Sequence, residues 1–267
     1  MIGGRTQVFA LLGDPVAHSL SPIMQNAGFR AAGLDAVYIP LRCAAEDLVS
    51  VMRTLVRDGG GGNVTLPHKR VAATAAPGDA RVVVLGVANV FSSQHGELQV
   101  SNTDVDGILA MLDGIGAPAA AWGIVGTGGS ARAIVGAAAE RGARIAIRSR
   151  DASRGAALQQ WAASLGVLPA DVAECQVLLN ATPLGLHHAD PLPVDLAAMP
   201  VVAWVADLTY RASGVTPLIE VARSRGLPSA DGREMLLVQG VAAWAHWFPG
   251  VSVPVEVMRA ALEGRMG

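Results

Sequence analysis

The sequence has few cysteines and little charge. Cys43 and Cys175 are the only two cysteines among 267 residues, so they cannot form a framework of disulfide bonds. No histidine stands at metal-ligand spacing from a cysteine or from another histidine, so the sequence predicts no metal site. Lys and Arg together number 20 and Asp and Glu 22, a balance that gives no reason to expect binding to nucleic acid or to an acidic membrane.

Long uninterrupted hydrophobic segments are also missing. The uncharged stretch Gly114–Ala131 is broken by Pro118 and by six glycines, a pattern that argues against a membrane span. The apolar run near the N-terminus ends at Gly13 and is short for a signal peptide. Since 51% of the residues are hydrophobic, there is ample material for a buried core. These features favour a soluble, cytoplasmic protein.

Apolar segments alternate with helical patterns along most of the chain, which predicts the α/β class with mostly parallel sheets covered by helices. A boundary near residues 105–114 would give two domains of about 100 and 130 residues. The predicted strands cover residues 8–12, 36–40, 63–66, 122–125, 143–147, 177–180 and 201–208. The predicted helices cover residues 22 onward, 45–58, 130–141, 152–165, 235–248 and 254–263.

A predicted strand runs into the glycine-rich segment 126–129, and a helix follows it. Gly126 permits a tight turn, and Gly128 lets the backbone approach a pyrophosphate at the positive end of the helix. Ala131 stands at the third glycine position of the dinucleotide fingerprint. A glycine-rich turn without a ligand is the alternative, but the order of strand, turn, helix and strand favours a dinucleotide site.

The next predicted strand ends in a segment that contains Arg150, Asp151 and Arg154. An acid at this place binds the ribose 2′-hydroxyl of NAD, whereas arginines accommodate the 2′-phosphate of NADP. The two arginines, four residues apart, favour NADP, while Asp151 either permits NAD or is the N-cap of the following helix. A solvated cluster of charges is the remaining alternative.

Two serines of the first domain are candidates for binding an anionic substrate group. Ser19 and Ser21 lie two residues apart in a loop before a predicted helix, and their hydroxyls can donate to a carboxylate without adding charge. Alternatively, Ser21 is the helix N-cap and Pro22 the first helical residue. Both interpretations stay open at this point.

A second polar group follows the predicted strand at 63–66. Asn63 and Thr65 alternate with apolar residues and are expected on one face of the strand end, where α/β sheets bind ligands. Lys69 lies four residues further on, although a single lysine is usually exposed surface. Asp104 lies two residues after Asn102, the spacing that separates Thr65 from Asn63. It is either a helix N-cap or a carboxylate that holds an ammonium group for proton transfer.

These segments, in this order, resemble the shikimate dehydrogenase family over nearly the full chain. The matching segments are HSLSP (18–22), NVTLPHK (63–69), GVAN (86–89), NTD (102–104), GTGGSAR (126–132), NATPLG (180–185), DLTY (207–210) and DGREMLLVQ (231–239). The resemblance implies a discontinuous substrate-binding domain, residues 1–104 with 233–267, and a Rossmann-type NADP-binding domain, residues 105–232. It also implies an active site in the cleft between the two domains.

The resemblance further implies an enzyme that reduces 3-dehydroshikimate to shikimate with NADPH, in the shikimate pathway of aromatic amino acid biosynthesis. It implies a small-molecule substrate and a monomer or homodimer, with Lys69 and Asp104 as the catalytic pair. The implied substrate ligands are Ser19, Ser21, Asn63, Thr65, Asn89, Tyr210 and Gln239. The implied cofactor ligands are Gly126, Gly128, Gly129, Ser149, Arg150 and Arg154.

Three places depart from the pattern of the family. Val90 stands where threonine is frequent, Gln25 where histidine is frequent, and Ser149-Arg150-Asp151 replaces Asn-Arg-Thr. Since an acid at 151 repels a 2′-phosphate, a quinate/shikimate dehydrogenase that uses NAD is an alternative. A dinucleotide-binding relative without turnover is another, but such a protein has no need of Lys69 and Asp104 as a proton-transfer pair.

Overall fold

The computed structural model of the protein describes residues 2–187 and 189–264. The chain divides into two compact units, of which the first combines the residues up to Asp104 with those from Leu236 onward, and the second is Val105–Met235. The resemblance had implied a return to the first domain at residue 233. In the structure the boundary lies between Met235 and Leu236, inside a continuous helix over Gly232–Trp247.

The predicted elements are largely present, with shifted ends. The strands are β1 (Gln7–Gly13), β2 (Ala36–Arg42), β3 (Gly61–Val64), β4 (Val90–Gln94), β5 (Glu97–Ser101), β6 (Ala121–Val125), β7 (Arg144–Arg148), β8 (Val177–Asn180), β9 (Trp204–Asp207) and β10 (Ser229–Ala230). The helices are α1 (Ser21–Ala31), α2 (Leu48–Arg57), α3 (Lys69–Ala72), α4 (Ala80–Leu85), α5 (Asp104–Gly114), α6 (Gly129–Arg141), α7 (Ala152–Ser164), α8 (Pro217–Ser224), α9 (Gly232–Trp247) and α10 (Val255–Leu262). Within the described residues, none of these helices combines the length and the apolar composition that a membrane span requires.

The helix predicted for 45–58 illustrates how the boundaries shift. Leu48, Met52 and Val56 are buried at intervals of four residues and form the apolar face of α2. Residues 45–47 instead form a turn before the helix. In the same way, β9 is shorter than the strand predicted for 201–208 and begins only at Trp204.

The sheet of the first unit has the order β2-β1-β3-β4-β5. β1 pairs in parallel with β2 on one side and with β3 on the other, so the strand order reverses at β1. β4 and β5 are antiparallel to their neighbours. The expected parallel arrangement is therefore confirmed for the first three strands, while the hairpin β4–β5 is an element that the sequence analysis missed.

One side of this sheet is covered by a group of aromatic side chains, here called the aromatic cluster. Its members come from β1, β2, α1, α9 and the residue after α9: Phe9, Phe29, Tyr38, Trp244, Trp247 and Phe248. The fully buried Gln25 of α1 joins them, because its Oε1 accepts from Trp244 Nε1 at 2.7 Å and its Nε2 donates to the Gly240 carbonyl at 3.2 Å. The C-terminal helices thus complete the core of the first unit.

The sheet of the second unit is parallel throughout, in the order β10-β9-β8-β6-β7. The order reverses at β6, which pairs with β7 on one side and with β8 on the other. Ligands of open α/β sheets bind outside the carboxyl ends of the strands at such a reversal. Gly126 is the residue that directly follows β6.

Candidate active site

The candidate site of the first unit lies at the carboxyl ends of β1 and β3, where the strand order reverses. The loop after β1 carries Ser19, and the loop after β3 leads to Lys69. The two loops meet at Gly13, where an added Cβ would stand 2.4 Å from Thr65 Cγ2 and 2.9 Å from the Leu66 carbonyl oxygen. The chain therefore requires glycine at position 13 in order to bring these loops together.

The two serines contact each other. Ser19 Oγ donates to Ser21 Oγ at 3.2 Å and accepts from the Ser21 backbone N–H, also at 3.2 Å. α1 begins at Ser21 itself and its N-cap position is Leu20. The interpretation of Ser21 as a helix N-cap is therefore wrong, since the chain enters the helical conformation one residue earlier than expected.

Asn63 is the buried polar residue near the end of β3. Its Oδ1 accepts from the Tyr38 hydroxyl at 2.8 Å, and its Nδ2 donates to the Asn89 carbonyl at 3.1 Å. The strand predicted for 63–66 ends two residues early, at Val64. The Thr65 N–H still donates to the Leu12 carbonyl of β1 at 2.8 Å, while its carbonyl accepts from the His68 N–H at 2.9 Å, so a turn begins at Thr65. The shared face of Asn63 and Thr65 stays a prediction.

Lys69 forms a shielded ion pair with Asp104. Lys69 Nζ lies 2.7 Å from Asp104 Oδ2, and the two side chains are 11% and 4% exposed. Removing one partner of such a pair leaves an uncompensated buried charge, at a cost of about 3–5 kcal/mol. The interpretation of Lys69 as ordinary exposed surface is therefore wrong.

The position of the Asp104 carboxylate is fixed by hydrogen bonds to neighbouring side chains and not by capping the N-terminus of α5. It is the first residue of α5, and its backbone N–H donates to Asn102 Oδ1 at 3.1 Å. Its own carboxylate accepts from Lys69 through Oδ2 and from Asn89 Nδ2 through Oδ1, at 3.0 Å. The alternative that Asp104 serves as a helix N-cap is thus wrong, and its carboxylate is held beside the ammonium group.

Asn89 is the centre of a buried polar network, only 2% exposed. Its Nδ2 lies 3.0 Å from Thr103 Oγ1 and 3.1 Å from Gln239 Oε1, and its Oδ1 accepts from the Thr103 N–H at 2.8 Å. Thr103 Oγ1 in turn donates to the Gln239 carbonyl at 3.0 Å. Thr103 thus bridges Asn89 and Gln239. Sequence reasoning did not predict Thr103 as a site residue, although it lies within the NTD segment.

The turn after β6 fits a dinucleotide. Gly126 has a φ of +115°, and an added Cβ would lie 3.0 Å from the Ala181 carbonyl oxygen, so the turn requires glycine. At Gly128, the N-cap of α6, an added Cβ would meet no described atom within 4 Å. The backbone at Gly128 therefore has space for an anion at the helix N-terminus.

The segment after β7 carries exposed charges. Arg150 and Arg154 are exposed, and Ser149, half-buried, accepts the Asp151 N–H through its Oγ at 3.2 Å. Asp151 is the N-cap of α7, and its Oδ1 accepts from the N–H groups of Ser153 at 3.0 Å and Arg154 at 3.1 Å. The hydrogen bond from the Ser153 hydroxyl to Oδ1, at 2.6 Å, lowers the pKa of the Asp151 carboxyl, and the backbone N–H bonds lower it further. The N-cap interpretation of Asp151 is therefore confirmed.

The second unit also contains a buried carboxylate that sequence reasoning did not single out. Asp207, at the end of β9, accepts from Asn180 Nδ2 at 2.9 Å, from the Thr209 N–H at 3.0 Å and from Thr216 Oγ1 at 2.6 Å. Burial, only partly offset by these bonds, raises the pKa of Asp207 to about 6. The predicted site residue Tyr210 follows in the same loop, half-buried beside Gly232.

The buried Asp207 predicts a pH dependence of stability. A carboxyl whose pKa is raised by folding stabilises the fold while protonated, and this contribution is lost as the pH rises through about 6. Relative to Asp207→Asn, the wild type should gain roughly 1–1.5 kcal/mol of unfolding free energy between pH 8 and pH 5. Urea denaturation at both pH values measures this difference.

The control is Asp195→Asn, at an exposed N-cap of the same unit. An equal effect of pH on the unfolding free energy of the wild type and of Asp207→Asn would contradict the prediction.

Two features define the class of protein. One unit has a glycine turn that fits a dinucleotide, and the other has a shielded ammonium–carboxylate pair among neutral polar side chains. They are features of an α/β oxidoreductase that uses a nicotinamide cofactor. Comparison with known proteins then specifies the family.

Residues 11–90 match the family model described as the shikimate dehydrogenase substrate binding domain, and residues 232–263 match the shikimate 5′-dehydrogenase C-terminal domain. A shikimate dehydrogenase (NADP(+)) from Synechococcus sp. (strain JA-3-3Ab) is 40% identical, over 97% of this chain and 94% of the relative. The crystal structure of the enzyme from Aquifex aeolicus superposes with a TM-score of 0.87 at 28% identity, covering 98% and 99% of the two chains.

A structure of shikimate 5-dehydrogenase from Thermus thermophilus, in complex with NADP(H) and shikimate, has a TM-score of 0.85 at 30% identity, covering 97% of this chain and 99% of that chain. The similarity to this structure and to the Synechococcus relative extends over 97% of the chain. The chain belongs to the shikimate dehydrogenase family.

Proposed function

We propose that this chain interconverts 3-dehydroshikimate and shikimate with NADP(H), as a step of the shikimate pathway of aromatic amino acid biosynthesis. A curated relative that is 40% identical carries the name shikimate dehydrogenase (NADP(+)). The observation that carries the proposal is the shielded pair Lys69–Asp104, with Nζ and Oδ2 only 2.7 Å apart. A protein that merely binds a dinucleotide has no use for such a pair.

Lys69 is the residue that we assign to proton transfer. NADPH, when bound, supplies the hydride that reduces the ring carbonyl of the substrate. The carbonyl oxygen then needs a proton, which the Lys69 ammonium donates, and in the reverse direction the amine takes up the proton of the substrate hydroxyl. Asp104 holds Nζ in place, and Asn89 holds the Asp104 carboxylate through its second oxygen.

Neutral hydrogen-bonding side chains are assigned to the hydroxyl and carboxylate groups of the substrate. A site built from such groups rejects analogues that lack a hydroxyl, because its own buried polar atoms are then left unpaired. The residues assigned to this task are Ser19, Ser21, Asn63, Thr65, Asn89, Tyr210 and Gln239.

The second unit is assigned to NADP. Gly126, Gly128 and Gly129 are assigned to the pyrophosphate at the N-terminus of α6. The half-buried Ser149 and the exposed Arg150 and Arg154, which follow β7, are assigned to the ribose 2′-phosphate. An acid that selects NAD must direct its carboxylate to the 2′-hydroxyl. The Asp151 carboxylate is instead engaged by the amides of α7, which supports NADP over NAD.

Removing the charge of Asp151 while keeping an N-cap should improve the use of NADP. We expect Asp151→Thr to raise the ratio of kcat/KM with NADP to kcat/KM with NAD by about threefold to tenfold, because a carboxylate beside a phosphate is repulsive. Threonine retains a capping oxygen for α7. Initial rates with both cofactors measure this ratio.

The matched control is Asp171→Thr, since Asp171 is likewise an exposed N-cap aspartate of the second unit and accepts from the Ala173 N–H. It should leave the cofactor ratio unchanged. An unchanged ratio in Asp151→Thr would mean that the carboxylate does not act on the 2′-phosphate.

One assay tests the proposed function as a whole. The reduced nicotinamide is followed by its absorbance with shikimate or quinate as substrate and with NADP or NAD as cofactor. The proposal expects the highest kcat/KM for shikimate with NADP. Faster turnover of quinate with NAD would identify a quinate/shikimate dehydrogenase, and no turnover with any combination would identify a dinucleotide-binding relative.

We further expect a cytoplasmic protein that acts as a monomer or homodimer on a small-molecule substrate without nucleic acid. Both cysteines, Cys43 and Cys175, are free and buried. Burial raises the pKa of the Cys175 thiol to about 11, which keeps it protonated and unreactive. Free thiols of this kind suit a reducing compartment.

A further inference from the structure

Tyr38 is a buried residue whose hydroxyl group reaches the candidate site. The residue is 1% exposed and belongs to the aromatic cluster, with its ring centre 6.5 Å from that of Phe29 and 6.1 Å from that of Trp247. Its hydroxyl donates to Asn63 Oδ1 at 2.8 Å. Because phenylalanine would fill the same apolar space without a polar atom, packing alone does not account for the hydroxyl.

The main chain of Tyr38 is held by Asn26 of α1. The Tyr38 N–H donates to Asn26 Oδ1 at 2.9 Å, and Asn26 Nδ2 donates to the Tyr38 carbonyl at 2.7 Å. β2 lies at the edge of its sheet, so the Asn26 amide occupies the place of a neighbouring strand at this residue. Tyr38 therefore reaches Asn63 from a fixed backbone and a packed ring.

The amide of Asn63 is consequently fixed at both of its ends. Nδ2 donates to the Asn89 carbonyl at 3.1 Å, while Oδ1 accepts from Tyr38. A flipped amide would place two acceptors, Asn63 Oδ1 and the Asn89 carbonyl oxygen, against each other. The two bonds use one N–H group and one lone pair, which leaves the second N–H of Asn63 to donate to a further acceptor.

We propose that Tyr38 is a positioning residue, whose hydroxyl holds the Asn63 amide in the orientation that donates to a hydroxyl group of the substrate ring. The proposal rests on the proposed function, since it requires Asn63 to bind the substrate. Tyr38 itself acts through Asn63, and the ordering of that amide before substrate arrives lowers the cost of binding.

The test is the variant Tyr38→Phe, which keeps the ring and removes the hydroxyl. We expect KM for shikimate to rise about fivefold to tenfold, the effect of one neutral hydrogen bond. KM for NADP should stay unchanged, and kcat should change less than twofold. Trp247→Phe is the matched control, because it removes a buried hydrogen bond of the same cluster, from Trp247 Nε1 to the Phe91 carbonyl. It should lower Tm without raising KM for shikimate.

A double-mutant cycle with Asn63→Ala separates the possible outcomes. If Tyr38 acts through Asn63, Tyr38→Phe should produce no further rise in KM for shikimate once Asn63 is alanine. Two outcomes would contradict the positioning role but leave Asn63 as a substrate ligand. In the first, Asn63→Ala raises KM while Tyr38→Phe has no effect. In the second, Tyr38→Phe raises KM by the same factor whether residue 63 is asparagine or alanine. If Asn63→Ala leaves KM unchanged, the assignment of Asn63 in the proposed function is wrong, and the positioning role is wrong with it.

Discussion

Lys69→Ala is expected to lower kcat for shikimate oxidation by about 10²–10⁴-fold, the usual contribution of a positioned acid or base. KM for shikimate should change far less, because the proton is transferred only in the transition state. In this variant the Asp104 carboxylate keeps its bond from Asn89 but loses its ammonium partner. Steady-state kinetics at saturating NADP measure both constants.

Two further variants separate chemistry from charge. Lys69→Arg keeps a cation beside Asp104, but the guanidinium does not release its proton, so the thermal stability should recover while kcat stays low. Arg70→Ala, at the exposed neighbouring residue, should leave kcat unchanged. A kcat of Lys69→Ala within a fewfold of the wild type would remove Lys69 from the proposed mechanism.

Gly62→Ala is expected to cost about 3–5 kcal/mol of unfolding free energy, because β3 runs closer to its neighbours than a side chain permits. An added Cβ at Gly62 would lie 1.9 Å from the Ala10 carbonyl oxygen, 2.8 Å from the Ala10 nitrogen and 2.8 Å from Phe91 Cε1. Two of these atoms belong to the backbone of β1, the strand at which the order of the sheet reverses. They cannot move without disturbing the pairing of the sheet.

Urea denaturation of Gly62→Ala measures the loss, and Gly114→Ala is the matched control. An added Cβ at Gly114 would meet no described atom within 4 Å, so that variant should stay within about 0.5 kcal/mol of the wild type. Because Asn63 directly follows Gly62, any folded Gly62→Ala protein should also have a raised KM for shikimate. Equal stability of the two variants would contradict the close approach of β3 to β1.

The local features of the fold were predictable from the sequence. Glycines at 126 and 128 specify a strand–turn–helix geometry through their own backbone requirements, and Asp151 precedes a helix in the manner of an N-cap. The β4–β5 hairpin was also within reach, since a glycine-containing pair, His95-Gly96, separates the strands VFSSQ and ELQVS. In the structure the φ values of this pair are +54° and +81°. Two-residue turns with positive φ at both positions join antiparallel strands.

The interior of the candidate site was not predictable in the same way. The bond from Asn89 Nδ2 to Gln239 Oε1 joins residues 150 positions apart, and no periodicity encodes such a contact. The strand predicted for 63–66 ends two residues early, at Val64, because a turn closed by the His68 N–H and the Thr65 carbonyl follows it. The role of Tyr38 left no signal, because a tyrosine in a buried strand is indistinguishable by pattern from a packing residue.

The central claim is that Lys69 exchanges a proton with the oxygen on the ring carbon that changes oxidation state. A crystal structure with shikimate and NADP⁺ bound tests it most directly. The account predicts Lys69 Nζ within about 2.6–3.2 Å of that oxygen, with Asp104 still in contact with Nζ. A structure in which the reacting oxygen faces another group, and Lys69 Nζ lies beyond hydrogen-bond reach of the substrate, would contradict it.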